Sequence, residues 1–304
     1  MADGSRTLEV EADAAAAEAA KEARAEVLER AQPEAKTEKR EKKVALPKAA
    51  SGKKQWHNFV VDVWITNFNF TEFGIYKRSR NRAKSRQFTT DMDVFAEVLE
   101  NGQRTGLLAY REELWKKNQG MDKRLVFKLF SESLNWRATM DLMIGRSLQL
   151  TLGARGLPVL AYSINTGDHD HMVYLERSAN KWPLLPENFS FFLMEDGRPS
   201  FYRLERDLID LGGDYTLYNE HNQAIGSLDG KVFSIGGKWK GRVLAEHAEP
   251  RLLMVLKMFC GMLIFNGECR RHMRWLAKQV LAGKYTPKLE KQEAELYMNP
   301  RRVR

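Results

Sequence analysis

Cysteine is nearly missing from this 304-residue chain: only Cys260 and Cys269 are present. Two cysteines exclude a disulfide scaffold and a four-cysteine zinc site. Nine positions apart on a helix they stand roughly 13 Å from each other, too far to bridge, which fits a reducing compartment. The first 50 residues contain no aromatic residue and no continuous apolar run. A secretory signal peptide is therefore not expected, and the many acids there argue against a transit peptide, with a processed mitochondrial protein left open. Enzyme signatures are missing too. Gly237-Lys238 lacks the glycine spacing and the Ser/Thr of a phosphate-binding loop, and there is no nucleophile elbow, redox cysteine pair or zinc-protease helix. The expectation is a protein that is not an enzyme and carries no cofactor.

Positive charge is plentiful and unevenly placed. Residues 1–50 hold 10 Lys/Arg against 11 Asp/Glu, and residues 51–304 hold 39 against 29. The excess thus lies on the part expected to fold, which favours anionic partners such as phospholipid headgroups, nucleic acid or an acidic protein. Residues 1–55 read as a tail rich in Ala, Glu and Lys, disordered or helical. Over 14–31 the strong helix formers lack an apolar stripe to pack. The folded part begins near Trp56.

From there the residues 59–70, β-branched and aromatic, predict a strand. Val94, Phe95, Val98 and Leu99 fall at helical spacing after Thr89 and before Asn101-Gly102, which predicts a helix. A second helix is predicted over 110–118. Leu148, Leu150 and Leu152 alternate and predict a strand, with a turn at 153–156 and a returning strand over 158–165. Further strands are predicted over 172–177, 189–194, 201–204, 215–219 and 224–228, with a hairpin turn at Asp196-Gly197. Short strands at this spacing indicate an all-β sandwich or barrel. An internal repeat at an offset of 24 aligns 208–215 with 232–239: an apolar strand, a Gly-Gly turn, then an aromatic.

Residues 252–265 break this rhythm. Twelve of the fourteen are apolar and cover every face of a helix, so the helix must be buried all round. Fourteen residues fall short of the roughly 20 that span a bilayer. No transmembrane span is expected, and the interior of a barrel is the economical place for the segment. Leu256, Phe259, Leu263 and Phe265 are the expected interior contacts. Arg270, Arg271, Arg274 and Lys278 then decorate a second, basic helix, and residues 267–304 end in a basic tail.

These features resemble the tubby-like superfamily, which includes LURP-one-related proteins and phospholipid scramblases. The residues that carry the resemblance run over 201–240: Phe201-Tyr202-Arg203-Leu204, the turn through Gly212-Gly213-Asp214-Tyr215, the strand Ile225-Gly226-Ser227-Leu228, and the return Gly236-Gly237-Lys238-Trp239. The apolar helix over 252–265 is similar to the one that ends those domains. The resemblance covers about 145–266 well, and 57–144 as early strands with inserted helices. It implies a mainly β (α+β) fold, a β-barrel over 56–266 around a central hydrophobic C-terminal helix with extra surface helices, and no catalysis. Tubby proteins bind phosphoinositides, and scramblases associate with membranes and calcium. The acidic segment that scramblases place before the helix is reduced here to Glu246 and Glu249, so calcium-dependent scrambling is not expected.

Two clusters are candidate sites. Lys77, Arg78, Arg80, Arg82, Lys84 and Arg86 put six cations in ten residues with no acid, flanked by Tyr76 and Phe88. Guanidinium groups grip phosphate bidentately, and lysines add point charges. A phosphoinositide or other anionic phospholipid headgroup, RNA or an acidic protein partner, and a solvated loop with no partner all fit this composition. Asp168-His169-Asp170-His171 is the metal-like cluster. On an extended chain His169 and His171 point to the same side, and a third ligand would come from elsewhere, such as His221 or His247. A solvated loop explains the same residues. The combined expectation is a binding module docking its basic face on an anionic membrane surface, intracellular and peripheral. A structural subunit of a protein or ribonucleoprotein assembly is the alternative.

Overall fold

Twelve antiparallel strands close on themselves in the computed structural model. It describes residues 55–63, 87–89, 92–168, 171–178, 187–195, 197–207, 213–231, 237–288 and 293–294. The strands are β1 (Trp56–Val63), β2 (Asp93–Glu100), β3 (Gln103–Tyr110), β4 (Val126–Ser131), β5 (Trp136–Leu142), β6 (Ala161–Thr166), β7 (Val173–Arg177), β8 (Asn188–Glu195), β9 (Arg198–Arg206), β10 (Tyr215–Tyr218), β11 (Ala224–Lys231) and β12 (Lys238–Leu244). Each strand pairs with its neighbours in sequence, and β1 pairs with β12 to close the barrel, Phe59 opposite Gly241 and Val61 opposite Trp239. Closure leaves no free sheet edge.

Alternation sends one set of side chains inward: Phe59, Val61 and Val63 from β1, Val173 and Leu175 from β7, Phe189, Phe191 and Leu193 from β8. All twelve strands feed one core cluster, and the helix α3 (Pro250–Leu281) shares it. Leu252, Val255, Leu256, Met258, Phe259, Cys260 and Met262 are buried completely, over an arc of about 200° of that helix, while Met254, Lys257 and Ile264 on the remaining side are half-buried. Phe259 packs edge-on against Phe189 and Tyr215, while Phe265 meets Phe95, Tyr110 and Phe127 on other strands. Gly261 lets the helix approach β3, since a Cβ there would stand 2.6 Å from Leu108 Cδ1. Of the four expected interior residues, Leu256, Phe259 and Phe265 are buried and Leu263 packs partly buried against the same core. Both cysteines are buried free thiols.

Several local expectations are corrected. The stretch predicted as a helix from Val94, Phe95, Val98 and Leu99 is the strand β2. It is buried on both faces: Phe95 and Val98 enter the main core, whereas Val94 joins an outer cluster with Phe88, Leu107 and Phe130. Two register shifts, at Val94/Ala96 and Val98/Leu99, disturb its period of two, so the apolar spacing imitates a helix. Asn101 and Gly102, expected to stop a helix, both have positive φ (52° and 77°) and turn the β2–β3 hairpin. The predicted helix over 110–118 shrinks to α1 (Glu112–Lys116), because Tyr110 ends β3.

The alternating leucines 148, 150 and 152 lie not in a strand but in the helix α2 (Ile144–Gly153). Its buried residues Ile144, Ser147, Leu148 and Thr151 follow helical spacing. No local side chain caps it. Glu293 does so from far along the chain, accepting from Gly145 N at 2.9 Å and Arg146 N at 2.7 Å. The expected pair of helices, one apolar and one basic, is a single 32-residue helix opened by Pro250 at its first turn. It is therefore long and apolar enough to cross a membrane by length and composition, although 67% of its most apolar window is buried. The repeat at 208–215 and 232–239 lies mostly outside the described residues, as do the tail over 1–54 and residues 64–70 of the first predicted strand.

Candidate functional site

The basic segment Lys77, Arg78, Arg80, Arg82, Lys84 and Arg86, with its flanking Tyr76, lies outside the described residues. Phe88, the other flanking aromatic, is 2% exposed and packs edge-on against Phe130 with ring centroids 5.1 Å apart. It belongs to the protein's packing. His169 also lies outside the described residues. His171 is exposed, and its backbone carbonyl accepts from Arg251 Nη2 at 2.6 Å. His221 sits on the surface beside Glu220, and His247 beside Glu246. No group of three His, Cys, Asp or Glu side chains placed to hold a metal occurs among the described residues.

Among the described residues, the most buried ionic cluster lies where α3 leaves the core. Arg177 at the end of β7 and Glu187 before β8 form an ion pair, both under 10% exposed. The same carboxylate accepts from Asn266 Nδ2 on α3 at 3.0 Å and from Tyr215 Oη on β10 at 3.1 Å. Arg177 Nη1 donates to the carbonyls of Pro158 (2.8 Å) and Ser178 (3.1 Å). Burial pushes the Glu187 carboxyl up, but Arg177, Asn266 and then Arg270 outweigh it and hold it below its ordinary value. Tyr215 is driven well upward by burial and by this carboxylate. A carboxylate occupied by three donors is a clamp between two strands and the helix, not an available base. Arg270, half-buried beside it, is pulled down by burial and by the neighbouring Arg177.

Beyond that clamp α3 runs outward against the segment holding α1. Glu268 accepts from Trp115 Nε1 at 2.9 Å and from Lys123 Nζ at 3.1 Å, with Lys123 over the Trp115 ring. His272 Nε2 donates to the Gly120 carbonyl at 3.0 Å, and its ring stacks on Trp275. Tyr285 packs against Trp275 and covers Gly120, where φ is +61° and a Cβ would fall 2.6 Å from the Tyr285 ring. One side of the outer helix is thus pinned down.

The side that runs through Arg271, Arg274, Lys278 and Leu281 faces solvent, with Trp275, also exposed, at its border with the pinned side, and the exposed Lys284 and Tyr285 follow the helix. No acid occurs between Glu268 and Glu290. Over the wider region 237–288 there are eleven Lys/Arg against three Asp/Glu, whereas the other described residues hold fifteen against nineteen. The positive excess of the described protein is therefore carried by β12 and α3. Sequence reading marked Arg270, Arg271, Arg274 and Lys278 as a basic helix but did not weigh Trp275 and Leu281 beside them. The signal was present, as an acid-free run of cations and large apolar residues at helical spacing.

An open groove of about 470 Å³ on the barrel's outer wall is lined by Met143, Tyr174, Phe191, Phe192 and Phe201, with the Arg146–Glu176 ion pair at its edge. Its lining offers packing surface and one paired carboxylate. No family model, curated protein or solved structure matches this chain.

Proposed function

We propose that this chain is a non-catalytic, tubby-like binding module that docks a basic face on anionic phospholipid or phosphoinositide at a membrane surface, peripheral and intracellular. The observation that carries the reading is the confinement of the described positive excess to residues 237–288, ending in the acid-free stretch from Arg270 to Lys288. Lys238, Lys257 and Lys288 are paired with Asp62, Glu100 and Asp122. Arg274, Lys278 and Lys284, however, are exposed, and each such cation close to an anionic leaflet contributes about 1 kcal/mol of attraction. The tubby-like assignment is supported by the closed twelve-strand barrel and its buried apolar helix, the architecture that the resemblance implies. The absence of catalysis is part of the proposal: the buried ionic cluster is already saturated with donors. In this reading Lys77, Arg78, Arg80, Arg82, Lys84 and Arg86 add headgroup contacts.

Liposome co-sedimentation tests this with neutral, phosphatidylserine and phosphoinositide vesicles at two salt concentrations. The same series is run on Arg78→Ala/Arg80→Ala/Arg82→Ala, with single-stranded RNA as competitor. Salt-sensitive pelleting with anionic vesicles is expected, weakened in the triple variant. Pelleting with no vesicle would refute the reading, and RNA binding indifferent to lipid would replace it with a subunit of a ribonucleoprotein assembly.

A further inference from the structure

Leu281 is a large apolar side chain held in solvent at the end of a helix whose other side is fixed, and Trp275 keeps part of its ring exposed while the rest packs on His272 and Tyr285. Trp275 is 39% exposed, Leu281 74% and Tyr285 37%. At about 100° per residue, Arg270, Leu281, Arg274, Lys278, Arg271 and Trp275 fall within an arc of about 140° on α3. That arc contains no acid, and no ion pair is made by Arg274, Lys278 or Lys284 among the described residues. Glu268, at the edge of the arc, is already engaged by Trp115 and Lys123.

Cations interleaved with Trp, Leu and Tyr match an interface whose outer layer is anionic and whose inner layer is hydrocarbon. Aromatic rings settle at headgroup level, and Arg and Lys lay their stems along apolar surface while their charges stay with phosphate. An acidic protein would match the charge but leave Leu281 uncovered, and RNA would match the charge and the rings but offer little to an aliphatic tip. We infer that the outer turns of α3 are an interfacial anchor: Trp275, Leu281 and Tyr285 enter the headgroup–acyl boundary of an anionic bilayer, with Arg271, Arg274, Lys278 and Lys284 on its phosphates. The anchor is preformed, because the contacts of His272 with Gly120 and of Tyr285 with Trp275 already fix the helix end. This inference rests on the membrane-docking reading above and names the surface that performs it.

The test uses the full chain with phosphatidylcholine vesicles, with and without phosphatidylserine. Wild type is compared with Leu281→Glu, Arg274→Ala/Lys278→Ala and Arg78→Ala/Arg80→Ala/Arg82→Ala, each checked for unchanged melting. Removing two cations is expected to lower the partition onto phosphatidylserine vesicles about 30-fold, roughly fivefold for each. Leu281→Glu weakens it as well, without touching the core. Vesicles of brominated phosphatidylcholine mixed with phosphatidylserine quench tryptophan emission in wild type, and Trp275→Phe removes most of that quenching. If both helix variants pellet like wild type while the 78/80/82 variant does not, the anchor is refuted and the docking reading stands on the other segment. If wild type pellets with no vesicle, the docking reading itself fails. A dimer in solution that Leu281→Glu converts to monomer would assign the face to a second copy of this chain and overturn the anchor.

Discussion

Replacing Glu187 by Gln removes one charge from the most enclosed ion pair of the described structure and leaves Arg177 buried without its counter-ion. Arg177 is 5% exposed and Glu187 7%, so solvent cannot compensate. Breaking a pair of this kind costs about 3–5 kcal/mol. At about 2–4 °C per kcal/mol for a domain of this size, the melting midpoint of the full chain should fall by roughly 6–20 °C. Tyr215→Phe provides a graded comparison: it deletes only the 3.1 Å bond from Tyr215 Oη, a hydrogen bond to a charged group at about 1.5–3 kcal/mol. The pH dependence carries a sign. Glu187 is held below its ordinary 4.5 in the folded state, so its contribution is fully present above that value. It is lost as pH falls through the folded value, where the native state must take up a proton that the unfolded chain already holds. Scanning calorimetry of wild type and both variants from neutral to acidic pH measures all of this. A loss below about 1 kcal/mol for Glu187→Gln, or a larger loss for Tyr215→Phe, would refute the account of the cluster as a saturated clamp. So would an acid slope that Glu187→Gln leaves unchanged.

Three further outcomes follow from single contacts. Gly241→Ala places a Cβ 2.1 Å from the Phe59 ring across the closing seam and should cost about 1–3 kcal/mol or more. Phe59→Leu should recover part of that loss in a thermal double-mutant cycle, whereas strict additivity would show that the ring is not the obstacle. Asp141, paired with Arg124 at 2.6 Å, is pushed up to about 6 by burial, against Arg124 and with a contribution from Glu293. Glu293→Gln should therefore lower the Asp141 value in carboxyl-carbon NMR titration and destabilise the chain by about 1 kcal/mol through the lost cap of α2. An unmoved Asp141 titration would refute the coupling. His272 is lowered below 6.5 by burial, with the Gly120 carbonyl opposing. The unfolded chain thus binds the proton first, and stability falls as pH drops below 6.5. His272→Gln should flatten that slope in urea titrations at several pH values.

What local pattern reveals depends on whether one face of an element meets water. Strands β7 to β11, with one face in the core, were legible from alternation and from turn residues such as Gly197, where φ is 77°. The helix over 252–265 was legible because nothing but enclosure accommodates a helix that is apolar on every side. β2 was not, since both its faces are covered and two register shifts disturb its period. α2 was not either, because its cap comes from Glu293, outside any local window. For the surface, sequence alone ranked the densest cation run, 77–86, above the helix end. Density is visible in a string. The arc on which Arg274, Lys278, Trp275 and Leu281 share one exposed side requires knowing that the 32-residue helix does not stop at 266.

The length of α3 also decides how it can meet a membrane. Its composition alone would let it span one, but its apolar half is the filling of the barrel. If that half moved into lipid its own side chains would lose little, because hydrocarbon surrounds them in either place. The loss would fall on the wall. Phe59, Leu108, Phe127, Ile164, Phe189 and Leu217 are fully buried against the shared core, and water entering the vacated interior would reach all six. At about 1.5–3 kcal/mol for each such side chain the wall would forfeit on the order of 10 kcal/mol, comparable with the roughly 5–15 kcal/mol that keeps a domain folded. The Glu187 clamp would lose Asn266 in the same movement. A folded barrel therefore keeps its helix and can offer a bilayer only the outer turns. Limited proteolysis of vesicle-bound protein distinguishes the two arrangements: cleavage confined to segments outside the barrel fits a retained helix, whereas cleavage in β1–β12 once lipid is added would mean that the helix has left.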